Sequence, residues 1–393
     1  MDALKSNAQS CPRMEEPYYV PIIVAVGVLC VKVLFCPFWE ANAYQTLLAE
    51  SLTRHGTVTE FARRISWRLI IQILKKQKQL DVIHMHGVDQ FIVRRTLPRS
   101  LTNGAEFFLK LSILRLSGVT LILTVHNLFN HERKFVRLEL LFNRIVSSIV
   151  HGIIAHSEYA KREIVKTYKV AAFKIYVIPH GHYLDAYPRD MSREDARTRL
   201  RLASNDFVFL YFGLIRPYKG IPELIESFAS LNMPHTKLLV TGRPFREDRL
   251  MSKIQRLSNQ HPNVRLTSGY IPDDEVQVYM NAADIVVFPF RDVFTSGSVI
   301  LAMSFAKPVI SSAKGSIPEM VNSTGGFLFK PEDEDGMNLA LKKAYMTDRN
   351  TLHRMGNRNL HVITKFGWNQ VAAQTFKIYE NFHESLVETN QQK

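Results

Sequence analysis

Two stretches decide the fold: FVFLYFGLIRPYKG (Phe207 to Gly220) and FTSGSVILAMSFAKPVI (Phe294 to Ile310). The apolar run Phe207 to Phe212 has the length and composition of a buried strand, and Gly213 ends it. Beyond the turn, Arg216 and Lys219 stand at the mouth of the next helical run. In the second stretch Ser296, Gly297 and Ser298 precede another helical run. Free backbone N–H groups and the helix dipole at such starts favour an anion. Two such turns about eighty residues apart suggest one diphosphate held between two loops. The plainer alternative is two ordinary strand-to-helix turns with exposed basic residues.

The pattern on both sides of these stretches is a parallel α/β one. From Val31 onward short apolar runs alternate with longer amphipathic ones. Strands are expected at Val31 to Cys36, Asp81 to His84, Thr120 to Val125, Gly152 to His156 and Ile175 to Ile178. A second set follows Phe207 to Phe212: Lys237 to Thr241, Val264 to Thr267, Ile285 to Pro289, Pro308 to Ser311 and Gly326 to Phe329. Between the first two strands, Phe61, Ile65, Leu69 and Ile73 predict a helix from about Thr59 to Lys76 with a basic outer face. Glu106 to Leu116 is unusually apolar for a surface helix. It is either a buried crossover or a patch that touches lipid, and the strand that follows directly favours burial. The chain therefore divides into residues 31–190, residues 191–365 and a C-terminal helix, 366–393, long enough to return to the first domain.

With 393 residues, 46% of them hydrophobic and 22% charged, two separate cores are expected. The net charge is +14, and Arg54 to Arg144 alone holds sixteen Lys/Arg against six Asp/Glu. Such a field attracts phosphates, whether of substrate, anionic lipid or nucleic acid. No RNA-binding, zinc-finger or helix-turn-helix pattern accompanies it, so a nucleic acid partner is not expected. The three cysteines have no metal spacing and fit a reducing, cytoplasmic setting. Tyr18 to Phe38 resembles a signal or anchor segment, but its uncharged part is shorter than a spanning helix needs. Residues 1–30 are expected to be a dispensable leader, with a single N-terminal anchor as the alternative.

The residues themselves now carry a family resemblance: GLIRPYKG, GYIPDDEVQVYMNAADIVVFPF, TSGSVILAMSFAKPVI and KGSIPEMV. Together they resemble the donor domain of GT-B glycosyltransferases, in the group that includes family 4 and related bacterial polysaccharide mannosyl- and glucosyltransferases. The fold this implies is two Rossmann-like, doubly wound parallel-sheet domains facing across a cleft. The resemblance implies that Arg216 and Lys219 bind the donor diphosphate, beside Gly213. Ser296, Gly297 and Ser298 would offer it backbone N–H groups. Tyr270 and Ile271 would lie against the nucleotide base, with Gly242 and Arg243 beside them. The sequence departs from the family at one point: Leu301 precedes Ala302-Met303, where most family 4 enzymes have a ribose-binding glutamate. The earlier glutamate position falls at Val293, so Asp292 becomes the candidate polar group near the donor sugar.

The N-terminal half would supply the acceptor side, lined by Asn42, Tyr44, His86, His180 and His182. His126 and Glu132, in TVHNLFNHER, are the candidate catalytic bases. The histidine pairs lack a carboxylate or cysteine that completes a ligand set, so neither a metal nor another cofactor is expected. The function implied is transfer of a sugar from a nucleoside-diphosphate donor to a carbohydrate, expected to be lipid-linked, with a peripheral contact to anionic membrane. The alternatives are a nucleotide-sugar epimerase or hydrolase, which would act on donor alone, and a non-catalytic sugar-nucleotide binder, which would bind without turnover.

Overall fold

The computed structural model describes residues 18–19, 30–39, 43–130, 134–245 and 249–391. The first domain has strands β1 (Tyr18–Tyr19), β2 (Val31–Cys36), β3 (Thr57–Phe61), β4 (Val82–His86), β5 (Thr120–Thr124), β6 (Gly152–Ala155) and β7 (Ile175–Val177). Its helices are α1 (Ala43–Thr53), α2 (Trp67–Leu74), α3 (Asp89–Ile92), α4 (Leu97–Leu116), α5 (Val136–Ile149) and α6 (Glu158–Tyr168). The second domain has β8 (Phe207–Phe212), β9 (Thr236–Gly242), β10 (Val264–Ser268), β11 (Ile285–Phe288), β12 (Val309–Ser312) and β13 (Gly326–Phe329). Around that sheet lie α7 (Arg193–Arg199), α8 (Ile221–Ser230), α9 (Arg249–Gln260), α10 (Val276–Ala282), α11 (Gly297–Ser304), α12 (Ile317–Met320), α13 (Gly336–Met346) and α14 (Arg349–Ile363). A last helix, α15 (Trp368–Gln391), ends the chain.

The second sheet runs β10-β9-β8-β11-β12-β13, and every pairing in it is parallel. Chain order therefore reverses between β8 and β11, and a crevice opens outside their C-terminal ends. The loops bounding that crevice belong to the stretches Phe207 to Gly220 and Phe294 to Ile310. The first sheet runs β1-β3-β2-β4-β5-β6-β7 and reverses between β2 and β4, which places Gly87 and Asp89 at its crevice. Only the edge strand β1 is antiparallel. Tyr18–Tyr19 thus adds a strand to the domain from within the segment expected to be a leader. The remainder of that segment up to residue 29 lies outside the described residues.

One expected element is corrected. The helix expected over Thr59 to Lys76 is in fact strand β3, a turn, and the shorter α2. Phe61, Ile65 and Ile70 do enter the core, but Phe61 does so from a strand paired in parallel with β2. Thr57, Val58 and Thr59 carry β-branched side chains that pack well on a pleated surface, and pairing with Val31 to Phe35 outweighs the four-residue spacing. Glu106 to Leu116 is the C-terminal half of α4. It buries Phe107, Leu111 and Leu114 but leaves Leu109 and Leu116 exposed, so burial accounts for one face of it only.

α15 crosses back to the first domain. Val371, Ala372, Ile378 and Tyr379 join Val33, Phe35, Leu48 and Leu52 in one core. The Trp368 indole packs where a side chain on Gly181 would stand and donates to the His182 carbonyl at 2.7 Å. The second domain is pinned by a buried ion cluster. Asp284 accepts from Arg193 and, at 2.7 Å, from Arg197, and it also takes the Val208 N–H at 2.8 Å. Arg197 donates further to carbonyls of Ala203, Ser204, Asp206 and Ala282. Removing one partner strands the others' charge away from water. Asp284→Ala is therefore expected to lower unfolding stability by about 3–5 kcal/mol, read by denaturant melts.

Candidate active site

The C-terminal wall of the cleft is built by close backbone approach. Gly213 has φ +143, and a Cβ there would lie 2.8 Å from the Ser298 hydroxyl. Gly242 has φ +154, and a Cβ there would lie 1.8 Å from the Gly213 carbonyl. Only glycine allows this combination of positive φ and contact. The loops after β8, after β9 and at the start of α11 are thereby drawn together. Ile215 and Pro244 form a parallel bridge between the first two of them.

Lys219 lies in the short turn Pro217–Lys219 and is buried, at 8% exposure. Its ammonium sits 4.2 Å from the Phe290 ring centroid and 5.3 Å from that of Tyr218. Among the described residues no carboxylate or other acceptor meets it. Burial first, and then the neighbouring Arg216, lower its pKa from 10.5 to about 7. Arg216 lays its guanidinium 4.0 Å from the Phe245 ring centroid, and its buried Nε also lacks an acceptor among the described residues. A buried ammonium beside a half-buried guanidinium whose Nε has no acceptor among the described residues suits an anion as the partner of both.

On the same wall α11 begins. The Ser296 hydroxyl caps it, accepting from Val299 N at 3.4 Å, and the N–H groups of Gly297 and Ser298 lie in the first turn. The Tyr183 hydroxyl would be 3.1 Å from a Cβ on Gly297 and lies 3.5 Å from His180 Nε2, so it joins this turn to the N-terminal wall. Leu301 packs in the core of the second domain, where it offers no hydrogen bond to a ribose. Tyr270 is 63% exposed beside the end of β10, and its hydroxyl donates to Asp273 at 3.4 Å. Ile271 is half-buried against the same core as Leu301. Arg243 is exposed, and so is Phe245, a ring that sequence reasoning did not single out. Asp292 is exposed at the domain seam, close enough to Tyr159 and Tyr218 to add to the rise that burial gives their phenols.

The N-terminal wall is a histidine network. The Ile178 carbonyl can only accept, so at 3.0 Å it fixes the proton of His156 on Nδ1. Bare Nε2 of His156 then accepts from His126 Nδ1 at 3.3 Å, and His126 Nε2 faces His86 Nδ1 at 3.5 Å. His84 is held separately, by the Tyr379 hydroxyl at 2.6 Å and the Thr124 hydroxyl at 2.7 Å. Burial lowers all of these imidazoles, His84 to about 3 and His156 to about 4, with His86 and His126 well below the usual range. The network is therefore neutral at pH 7. The Tyr44 ring packs against His86, His126, His156 and His180 and seals it. His182 stands apart: it anchors Trp368, as described above. Asn42 and Glu132 lie outside the described residues.

Asp89 was missed in the sequence. It opens α3 at the switch point of the first sheet and lines a pocket with Trp39, His86, His126 and Asn130. Asn130 Nδ2 donates to it at 3.4 Å. Burial raises its pKa, while hydrogen bonds from the backbone N–H groups of Asp89 and Gln90, and Arg216 across the cleft, hold the rise in check. The only sequence signal was a carboxylate two residues after Gly87. The domains meet close by. Thr295 donates to the His126 carbonyl at 3.0 Å, and Phe294 enters the core of the first domain. The Glu319 carboxylate accepts from the first N–H groups of α6, Glu158 at 3.1 Å and Tyr159 at 2.7 Å.

Two Rossmann-like parallel-sheet domains facing across a cleft are the architecture of the GT-B glycosyltransferases. Residues 31–185 match the model described as Glycosyltransferase Family 4, and residues 192–361 match that described as Glycosyl transferases group 1. The chain belongs to this glycosyltransferase family. It is 27% identical over 319 residues to a GDP-mannose:glycolipid 4-beta-D-mannosyltransferase of Xanthomonas campestris, covering 80% of this chain and 83% of the relative. It is also 27% identical to a lipopolysaccharide 1,2-N-acetylglucosaminetransferase of Salmonella typhimurium, over 56% of this chain and 59% of that one. Among solved structures, sucrose-phosphate synthase of Thermosynechococcus elongatus superposes with a TM-score of 0.71 at 18% identity, covering 90% of this chain and all of that one. The Anabaena protein HepE, solved with UDP, gives 0.69 at 15% identity, over 89% of this chain and all of HepE. These likenesses share the fold. The protein is a glycosyltransferase.

Proposed function

We propose that this glycosyltransferase moves a hexose from a nucleoside-diphosphate sugar, GDP-mannose or a UDP-sugar, to a hydroxyl of a lipid-linked carbohydrate, without a metal ion. The observation that carries the reading is the buried ammonium of Lys219, which has no acceptor among the described residues and stands beside Arg216. A diphosphate supplies the missing charge. As the glycosyl bond breaks, charge grows on the leaving phosphate, and preorganised donors stabilise it there: Lys219, Arg216 and the Gly297 and Ser298 N–H groups. The exposed rings of Tyr270 and Phe245 are offered to the nucleotide base. The mannosyl donor, glycolipid acceptor and peripheral membrane contact are supported by the name of the Xanthomonas relative and by the basic segment Arg54 to Arg144.

That relative's name also specifies a beta product. From an alpha-linked donor, a beta product requires attack from the opposite face, which needs a base on the N-terminal wall. Both ring nitrogens of His126 are engaged by other histidines, whereas Asp89 faces the pocket. In this reading the acceptor oxygen bonds to the anomeric carbon, its proton passes to an Asp89 oxygen, and the bond to the phosphate breaks with its electron pair leaving on the nucleoside diphosphate. A thermal-shift panel of GDP- and UDP-sugars in EDTA, followed by transfer to lipid-linked glycans, tests the proposal. One sugar nucleotide should stabilise the protein and be consumed only when acceptor is present. Failure of every sugar nucleotide to bind would overturn the reading, and so would a requirement for divalent metal.

A further inference from the structure

Helix α4 shows leucines to solvent where a surface helix normally carries charge. Its inner side buries Ser100, Gly104, Phe107, Leu111 and Leu114. On the outer side Leu97, Leu101, Leu109 and Leu116 are 45%, 47%, 54% and 88% exposed. At the helical repeat these four fall within about a third of the circumference, and Ala105, between them, is exposed as well. Helix α2 repeats the pattern with Trp67, Ile71 and Leu74, all exposed and spaced one turn apart. The two helices adjoin: the Trp67 indole donates to Glu106 at 2.9 Å, and Lys110 lies 5.1 Å from the Trp67 ring centroid. Of sixteen exposed large hydrophobic residues among those described, nine lie between Trp67 and Leu141, so the patch belongs to one side of the first domain.

Cations frame it. Arg68 lies on α2 with Arg63, Arg64, Lys75 and Lys76 flanking it, and Arg94 and Arg95 precede α4 with Arg99 in its first turn, all exposed. Glu106, between the helices, is paired with Lys110 at 2.6 Å. A second copy of the chain would set one basic patch against another, and a nucleic acid would leave the leucines in water. An anionic bilayer meets both requirements, apolar depth for Leu and Trp and phosphates for Arg and Lys. Among the described residues no helix is long and apolar enough to cross a membrane, so the helices would lie in the interface.

We propose that the α2–α4 face docks on an anionic lipid surface, with Trp67, Ile71, Leu74, Leu101 and Leu109 entering the boundary between headgroups and acyl chains. Helix α4 follows directly on α3, whose first residue is Asp89, so the docked face adjoins the cleft at which a lipid-linked acceptor would arrive. The inference deepens the peripheral contact in the proposed function and rests on that reading for its purpose. Its measurement uses no sugar, so the two fail separately.

The test is flotation of the full chain with phosphatidylcholine vesicles, with and without phosphatidylglycerol, at low and high salt. The wild type should float with anionic vesicles, and less at high salt. Leu101→Glu with Leu109→Glu should weaken this at least ~10-fold, since both charges would enter the interface. Arg64→Ser with Arg68→Ser should weaken it about fivefold per residue, on anionic vesicles only. All these side chains are exposed, so circular dichroism and the donor-induced thermal shift should not change. Trp67→Phe should remove the fluorescence blue shift on vesicle addition. Flotation unaffected by the double glutamate variant would overturn the proposal and assign attachment elsewhere, the apolar segment before Val31 included. Equal flotation with neutral vesicles, or loss of self-association in place of vesicle binding, would overturn it too.

Discussion

Lys219→Met is expected to abolish transfer and to make the folded protein more stable. In the free protein the ammonium is buried against Phe290 and Tyr218 with no counter-charge among the described residues, so an apolar side chain of similar length relieves a desolvation cost of about 1–4 kcal/mol. In the donor complex the same ammonium makes a charge-assisted bond, whose loss costs about 1.5–3 kcal/mol of affinity. A further factor of about 100–1000 in turnover goes with the lost stabilisation of the leaving phosphate. A higher melting temperature with weaker donor binding separates this role from a structural one, in which the variant would melt earlier. The pH dependence follows from the same group. Below about 7 Lys219 is protonated in both folded and unfolded chains, and the burial cost is fully felt. From about 7 to 10.5 the folded chain has released the proton that the unfolded chain keeps, so its contribution to stability rises with pH. Donor affinity runs the other way. It is set by the protonated form and should fall above pH 7, by up to about tenfold per pH unit.

Asp89→Asn is the second large effect. An amide of the same shape keeps a hydrogen bond with Asn130 but cannot accept the acceptor's proton, and loss of a general base costs about 100 to 10,000-fold in kcat. Donor affinity, measured by titration, should stay close to wild type, because Asp89 lies across the cleft from the diphosphate loops. The acid limb of the rate profile, set by a carboxyl that burial holds above the usual range, should disappear with the residual activity. Asp89→Glu should recover part of the rate. An unchanged kcat in the asparagine variant would leave the base to another residue.

What could be read from the sequence was local. A strand that ends in glycine with cations just beyond it, and small residues just before a helical run, are written in consecutive residues, and the cationic wall proposed to hold the diphosphate follows from them. Strand β3 was hidden because Phe61, Ile65, Leu69 and Ile73 mimic a helical stripe across a strand, a turn and a helix, although the β-branched run Thr57 to Thr59 was the available signal. Asp89 and Phe245 acquire meaning only from the other side of the cleft or from Arg216, which folding brings to them. The histidines stood out at strand ends, but the tautomer of each depends on a carbonyl or ring from another strand. The run Glu106 to Leu116 was visible as apolar, but which of its side chains are buried, Phe107, Leu111 and Leu114, and which stay outside, Leu109 and Leu116, is decided by packing.

In the proposed reaction a sugar nucleotide supplies the counter-charge for the buried cation of Lys219. Calorimetric titration of a sugar nucleotide near pH 8, in EDTA and in two buffers of different ionisation enthalpy, reads this out. The donor's diphosphate has no ionisation near neutrality, so proton exchange reports the protein. Binding should take up close to one proton per site in the wild type and none in Lys219→Met. Binding with no proton uptake, or with equal affinity in the variant, would contradict this.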